Sequence, residues 1–90
     1  MKMKKKIEIL PLSDYYVVAV KDKDTSELLE TFTLNDSGAD MLKLFCQGKN
    51  EDEVAEEIAT LYETSTDVIR PDIYKFANHL KDKGIISDKQ

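Results

Sequence analysis

The side chains able to do covalent or proton-transfer chemistry are few and scattered. Glu56 and Glu57 are adjacent, so on a helix they point about 100° apart and cannot converge on one substrate. Glu53 and Glu57 share a helical face, a spacing that reads as a solvated surface. His79 follows Asn78 with no triad pattern around it and reads as a surface or groove residue. Cys46 is expected as a partly buried small hydrophobe near a helix end. A single cysteine excludes an internal disulfide, and a single histidine excludes a zinc site of the usual Cys/His type. Gly38, Gly48 and Gly84 are too far apart for a phosphate loop. Tyr15, Tyr16, Tyr62 and Tyr74 fall on different elements, which suits packing better than a base-stacking platform. The expectation is a chain that is not an enzyme and carries no cofactor and no metal. Binding must then come from backbone groups and side-chain pockets.

The elements that would position such a surface are legible. Ile7 to Leu10 alternates and meets Pro11, as a short edge strand does. Tyr15 to Val20 is aromatic and β-branched, a strong strand signal. The polar stretch Asp22-Lys23-Asp24-Thr25-Ser26 predicts a hairpin tip, and Leu28 to Leu34 the returning arm. In that third predicted strand Phe32 and Leu34 share one face, and Thr31 and Thr33 the other. From Asn35 the hydrophobic period changes from two to 3.6. Asn35 is placed to cap a helix through Ala39, Leu42 and Phe45 that Gly48 ends. Asn50 and Glu53 have capping-box spacing before the stripe Val54, Ile58, Leu61 and Tyr62. Ser65 or Thr66 caps a third helix with the stripe Ile69, Ile73, Phe76, Ala77 and Leu80, stopped by Gly84. The fold class is therefore α+β, in the order β-β-β-α-α-α: a three-stranded antiparallel sheet followed by a three-helix bundle.

Ninety residues make one domain with a small core. We assign residues 1–6 to a lysine-rich flexible start, 7–86 to the domain and 87–90 to a frayed tail. Hydrophobic residues are 41% and charged residues 34%, which argues against wholesale disorder. No apolar run is long enough to span a membrane and no secretory signal follows the first lysines, so the default address is cytoplasmic. The net charge of −5 is uneven. Lys2, Lys4, Lys5 and Lys6 precede a body of nine basic and eighteen acidic residues, which carries −9 and argues against nucleic-acid affinity. From Asn50 to Ile69 there are seven acidic residues and no basic one; Arg70 to Lys83 holds four basic and two acidic residues. An acidic peptide would be drawn to this third helix.

One succession is more specific than these patterns. Leu34-Asn35-Asp36-Ser37-Gly38-Ala39 leads to Leu42, Phe45 and Gly48, then to the acid-rich helix Glu51 to Tyr62. It closes with Asp72-Ile73-Tyr74-Lys75-Phe76, Leu80 and Gly84-Ile85-Ile86. Over roughly residues 15–86 this resembles the PqqD family, named for a protein of pyrroloquinoline quinone biosynthesis. Its members are the peptide-recognition elements of ribosomal peptide modification systems. The resemblance implies a small winged-helix-like domain that catalyses nothing. It implies binding of the leader segment of a precursor peptide, often for a radical S-adenosylmethionine maturase, with quinone synthesis one pathway among many. The leader would add a strand beside Leu28, Leu29, Glu30, Thr31, Phe32 and Thr33. It would lie in a groove for which Asp72, Tyr74, Lys75, Phe76, His79 and Lys83 of the third helix are candidates. Pro71 departs from the family pattern and predicts a later start or a bend in that helix; the lysine-rich start departs from it too.

The mode also follows from physics, because an exposed strand edge offers unpaired N–H and C=O groups to any extended chain. Two other readings use the same elements. A winged-helix DNA-binding regulator would set a helix in the major groove, against the charge of the body. A scaffolding homodimer would pair through the exposed edge. The protein is expected as a monomer or weak dimer, with a leader peptide and a peptide-modifying enzyme as partners, and with no nucleic acid and no membrane.

Overall fold

The computed structural model describes residues 1–88. Strands β1 (Lys2–Met3), β2 (Lys6–Pro11), β3 (Tyr16–Lys21) and β4 (Leu28–Leu34) come first. Helices α1 (Asp36–Cys46), α2 (Glu51–Leu61) and α3 (Thr66–Asp82) follow, then β5 (Ile86–Ser87). The main sheet is antiparallel in the order β2-β3-β4, so the three-strand, three-helix order read from the sequence is the observed one. The likeness to a winged helix extends to three helices beside a three-stranded sheet. The strand expected third is β4 here because β1 precedes it.

The sheet is two-faced because strand side chains alternate. Register sets Ile9, Val18 and Phe32 in one row, and Ile7, Val20 and Glu30 in the next. Val18 and Val20 are fully buried against the helices, while Thr31 and Thr33 of β4 lie on the opposite, open face. A register shift at Val20/Lys21 marks a bulge before the hairpin tip. There Asp22 Oδ2 accepts from the N–H groups of Asp24 and Thr25, both at 2.9 Å. Those two donors hold the Asp22 carboxyl below the ordinary carboxylate range.

Each helix begins on the residue its sequence suggests. Asn35 Oδ1 accepts from Gly38 N–H at 2.9 Å. Asn50 and Glu53 close a reciprocal capping box at 2.9 and 3.0 Å. Ser65 Oγ accepts from Val68 N–H at the start of α3. The end of α3 is a Schellman turn: Gly84 (φ +73°) donates to Lys81 C=O and Ile85 to Leu80 C=O, both at 2.9 Å. A side chain in that left-handed conformation would be strained, hence glycine. The turn buries Ile85 and sends Ile86–Ser87 back to pair with Lys2–Met3. Met1 and Met3 pack against the core.

Four expectations differ from the structure. Residues 1–6 are expected as a flexible start, yet Lys2–Met3 is a paired strand, with Met1 and Met3 partly buried against the core. The tail assignment falls on Ser87, which is paired in β5, on Asp88, which pairs with Lys81 at 2.8 Å, and on residues 89–90, outside the described residues. Pro71 does not delay α3, which runs unbroken from Thr66. Proline lacks the N–H that would reach Asp67 C=O, but both residues are exposed, so water can satisfy that carbonyl. Leu61 and Tyr62 are exposed, and Ala55 and Ala59 take their place in the core because small residues let α2 approach its neighbours closely.

The core gathers Val18 and Val20 with Leu42, Phe45, Val54, Ile58, Ile73, Ala77, Leu80 and Ile85. Outside it, paired side chains tie the helices together. Tyr62 donates to Asp40 of α1 at 2.6 Å, and Tyr74 to Asp52 of α2 at 3.1 Å. Phenolate beside carboxylate is repelled and loses its hydrogen bond, which pushes Tyr62 up to about 12.

Two predictions test these local arguments. Asn50→Ala should remove about 1 kcal/mol and lower Tm by roughly 4–8 °C in a calorimetric scan. In an absorbance titration of the phenolates, the last tyrosine should ionise near pH 12. Asp40→Asn should bring that step down toward 10, because the neutral amide no longer opposes the phenolate; an unmoved step would refute the pairing.

Candidate functional site

The two edges of the main sheet differ in chemistry. β2 carries Lys6 at its start and Pro11 at its end, devices that blunt an edge against added strands. β4 reads Leu-Leu-Glu-Thr-Phe-Thr-Leu, with no lysine and no proline. Its outer N–H and C=O groups have no neighbouring strand among the described residues. Leu28 and Leu29 at its start are 56% and 47% exposed.

A groove of about 580 Å³ opens at the junction of β4, α1 and α3. Its walls follow from three local facts. The chain turns from β4 into α1 within one residue, so Leu34, Asn35, Ser37, Gly38 and Met41 come to one place. Gly38 sits where a Cβ would meet Leu34 Cδ2 at 3.1 Å and Asn35 Oδ1 at 3.2 Å. Its missing side chain permits that close approach. On the far side, α3 presents Asp72, Lys75, Phe76, Asn78, His79 and Asp82, residues at helical spacings of three and four.

The expected helix-three residues separate cleanly. Asp72, Lys75, Phe76 and His79 line the groove. Phe76 serves both sides: it packs on the core with its ring 6.4 Å from that of Phe45, and it floors the groove. Tyr74 does not line the groove; its hydroxyl donates to Asp52 of α2. Lys83 does not line the groove either; it straps the end of α3 to β4, 3.1 Å from Glu30 Oε2 and 5.0 Å above the Phe32 ring. On β4, Glu30 and Phe32 face inward and are part-buried, whereas Leu29, Thr31 and Thr33 are exposed.

Most of the near wall was not read as a binding surface: Leu34 ends the strand expected to pair with the peptide, but Asn35, Ser37, Gly38 and Met41 are not among the expected binding residues. The signal was present, since Leu34 to Ala39 is the very junction that carried the resemblance. Asn78 and Asp82 were missed as well, though they stand three residues after Lys75 and His79 respectively.

Reactive groups do not converge here. Among the described residues, no group of three or more His, Cys, Asp and Glu could hold a metal. Cys46 is exposed rather than partly buried as expected, because it ends α1 off the core-facing stripe. Local desolvation raises its thiol above the usual value, the wrong direction for a nucleophile. No helix among the described residues is long and apolar enough to cross a membrane. The arrangement offers an open strand edge, an apolar floor and a mixed polar wall.

Comparison with known proteins bears on the family. No curated protein sequence matches the chain. A solved structure described as TbiB1 in complex with the TbiA(beta) leader peptide is similar in fold. The TM-score is 0.72 at 20% identity, covering 100% of this chain and 99% of that one. The family model for coenzyme PQQ synthesis protein D (PqqD) matches residues 18–86. That span holds most of β3, β4, all three helices and both walls of the groove, and the chain belongs to the PqqD family.

Proposed function

We propose that this chain is a non-catalytic recognition module for the leader segment of a ribosomally made precursor peptide. The leader adds a strand to the outer edge of β4 and sets alternate side chains into the groove between β4, α1 and α3. The module then presents the peptide to a partner maturase of the radical S-adenosylmethionine type.

The observation that carries this reading is the asymmetry of the sheet. The edge without lysine or proline is the one beside the groove, while the other edge is blunted. Main-chain pairing supplies affinity to any extended segment, and pockets for alternate side chains supply selectivity. Family membership and a fold neighbour that holds a leader peptide support it. The same edge could pair with a second copy of the chain, and sedimentation across a concentration range separates that outcome from a monomer. The −9 body disfavours a DNA-binding role.

The test is an amide-shift titration with a synthetic leader from a precursor encoded beside this chain's gene. Shifts should concentrate in Leu28–Leu34 and along the groove side of α3, and the outer β4 amides should gain protection from exchange. Shifts confined to α2 would sink the placement. Gly38→Ala supplies a second check. Helix propensity gains up to about 1 kcal/mol and crowding against Leu34 costs a similar amount, so Tm should move little. Leader affinity should nevertheless fall by roughly three- to tenfold, because Leu34 is displaced into the groove.

A further inference from the structure

This inference rests on the peptide-binding reading and narrows it to a class of peptide. Four basic side chains lie on or just after α3, and three are already engaged. Arg70 lies 3.6 Å from Asp52 and 3.5 Å from Asp67. Lys81 holds Glu51 at 3.1 Å and Asp88 at 2.8 Å, and Lys83 holds Glu30 at 3.1 Å. Lys75 alone among them has no carboxylate within ion-pair distance among the described residues, and Lys75 lines the groove. The attraction that the sequence spreads over a whole basic helix is thus concentrated at one ammonium.

Two groove carboxylates bracket it. Asp72 stands three residues before Lys75 and Asp82 seven after, and neither has a cationic partner among the described residues. At 1.5 Å rise per residue the bracket is about 15 Å long, the reach of four or five residues of extended chain. The charge order along this wall is negative, positive, negative, beside an apolar floor that includes Met41 and Phe76. A strand laid along β4 turns every second side chain toward the floor and wall.

We propose that Lys75 makes the groove select peptides bearing a single acidic residue two positions from an apolar anchor. Asp72 and Asp82 make it reject runs of acidic residues. Seating an apolar side chain on the floor strips water from the neighbouring ammonium, and an opposing carboxylate compensates that loss. A peptide cation at the same position meets like charge, which the seated peptide shields from water. A second or third peptide carboxylate along the strand meets the bracketing aspartates.

Selection from a displayed library of random peptides tests this, using the whole chain and its Lys75→Glu variant, each confirmed folded by thermal melt. The wild-type chain should enrich sequences with one Asp or Glu two residues from a large apolar residue. The variant should exchange that acid for Lys or Arg. For a synthetic copy of an enriched peptide, changing the acid to its amide should weaken binding to the wild-type chain by about three- to tenfold and leave binding to Lys75→Gln unchanged. The double variant Asp72→Asn, Asp82→Asn should admit acidic runs. The same acidic preference in wild type and Lys75→Glu would overturn the assignment, as would enriched peptides with no charge preference. Those outcomes leave peptide binding standing, whereas failure of the wild-type chain to enrich any extended peptide removes both readings.

Discussion

Phe45 and Phe76 meet where α1 and α3 come together, and the spacing of the groove follows from that meeting. Phe45 is fully buried on α1, and Phe76 reaches it from α3 at a tilted ring distance of 6.4 Å. That contact fixes how far α3 stands from α1 and, through the one-residue turn at Asn35, from the end of β4. A bulkier meeting point would widen the groove, and a smaller one would let α3 fall onto β4. Core packing at native density admits little adjustment, so the groove's dimensions are set from inside the protein.

Everything around this contact either braces α3 or leaves β4 free. Tyr74 and Lys81 tie α3 to α2, and Lys83 ties its end to Glu30. The Schellman turn at Gly84 returns the chain to pair with Lys2–Met3 in a two-stranded sheet of its own, so β5 does not pair with β4. Had the terminal strand paired with β4 instead, it would have occupied the β4 edge that now lies open beside the groove.

Much of the fold was legible because local chemistry agreed with the global packing. Asn35, Asn50 and Ser65 cap where short polar side chains can satisfy free N–H groups, and glycines stop helices where left-handed backbone is needed. The failures share a cause. Leu61 and Tyr62 continue the period of α2 but lie past the point where another element covers them. Lys2–Met3 is too short to carry a strand pattern, and only its partner in β5 makes it one. In both cases the deciding atoms lie elsewhere in the chain.

For the candidate site the division is sharper. Legible along the chain were the three strands of the main sheet, the three helices and their order, the acidic body, the family junction from Leu34 to Ala39, and the poverty of catalytic groups. These depend on composition, periodicity and short-range hydrogen bonding. Only the folded chain shows that β4 has no outer neighbour among the described residues, that Gly38 and Met41 face α3 across a groove, and that Tyr74 of α3 bonds to α2 rather than lining that groove. It also shows that, among the described residues, Lys75 is the one basic side chain on or just after α3 without an ion-pair partner. Which charges cancel depends on distances of 3–4 Å between residues far apart in the chain, as between Lys83 and Glu30, and no count of lysines along a helix contains them.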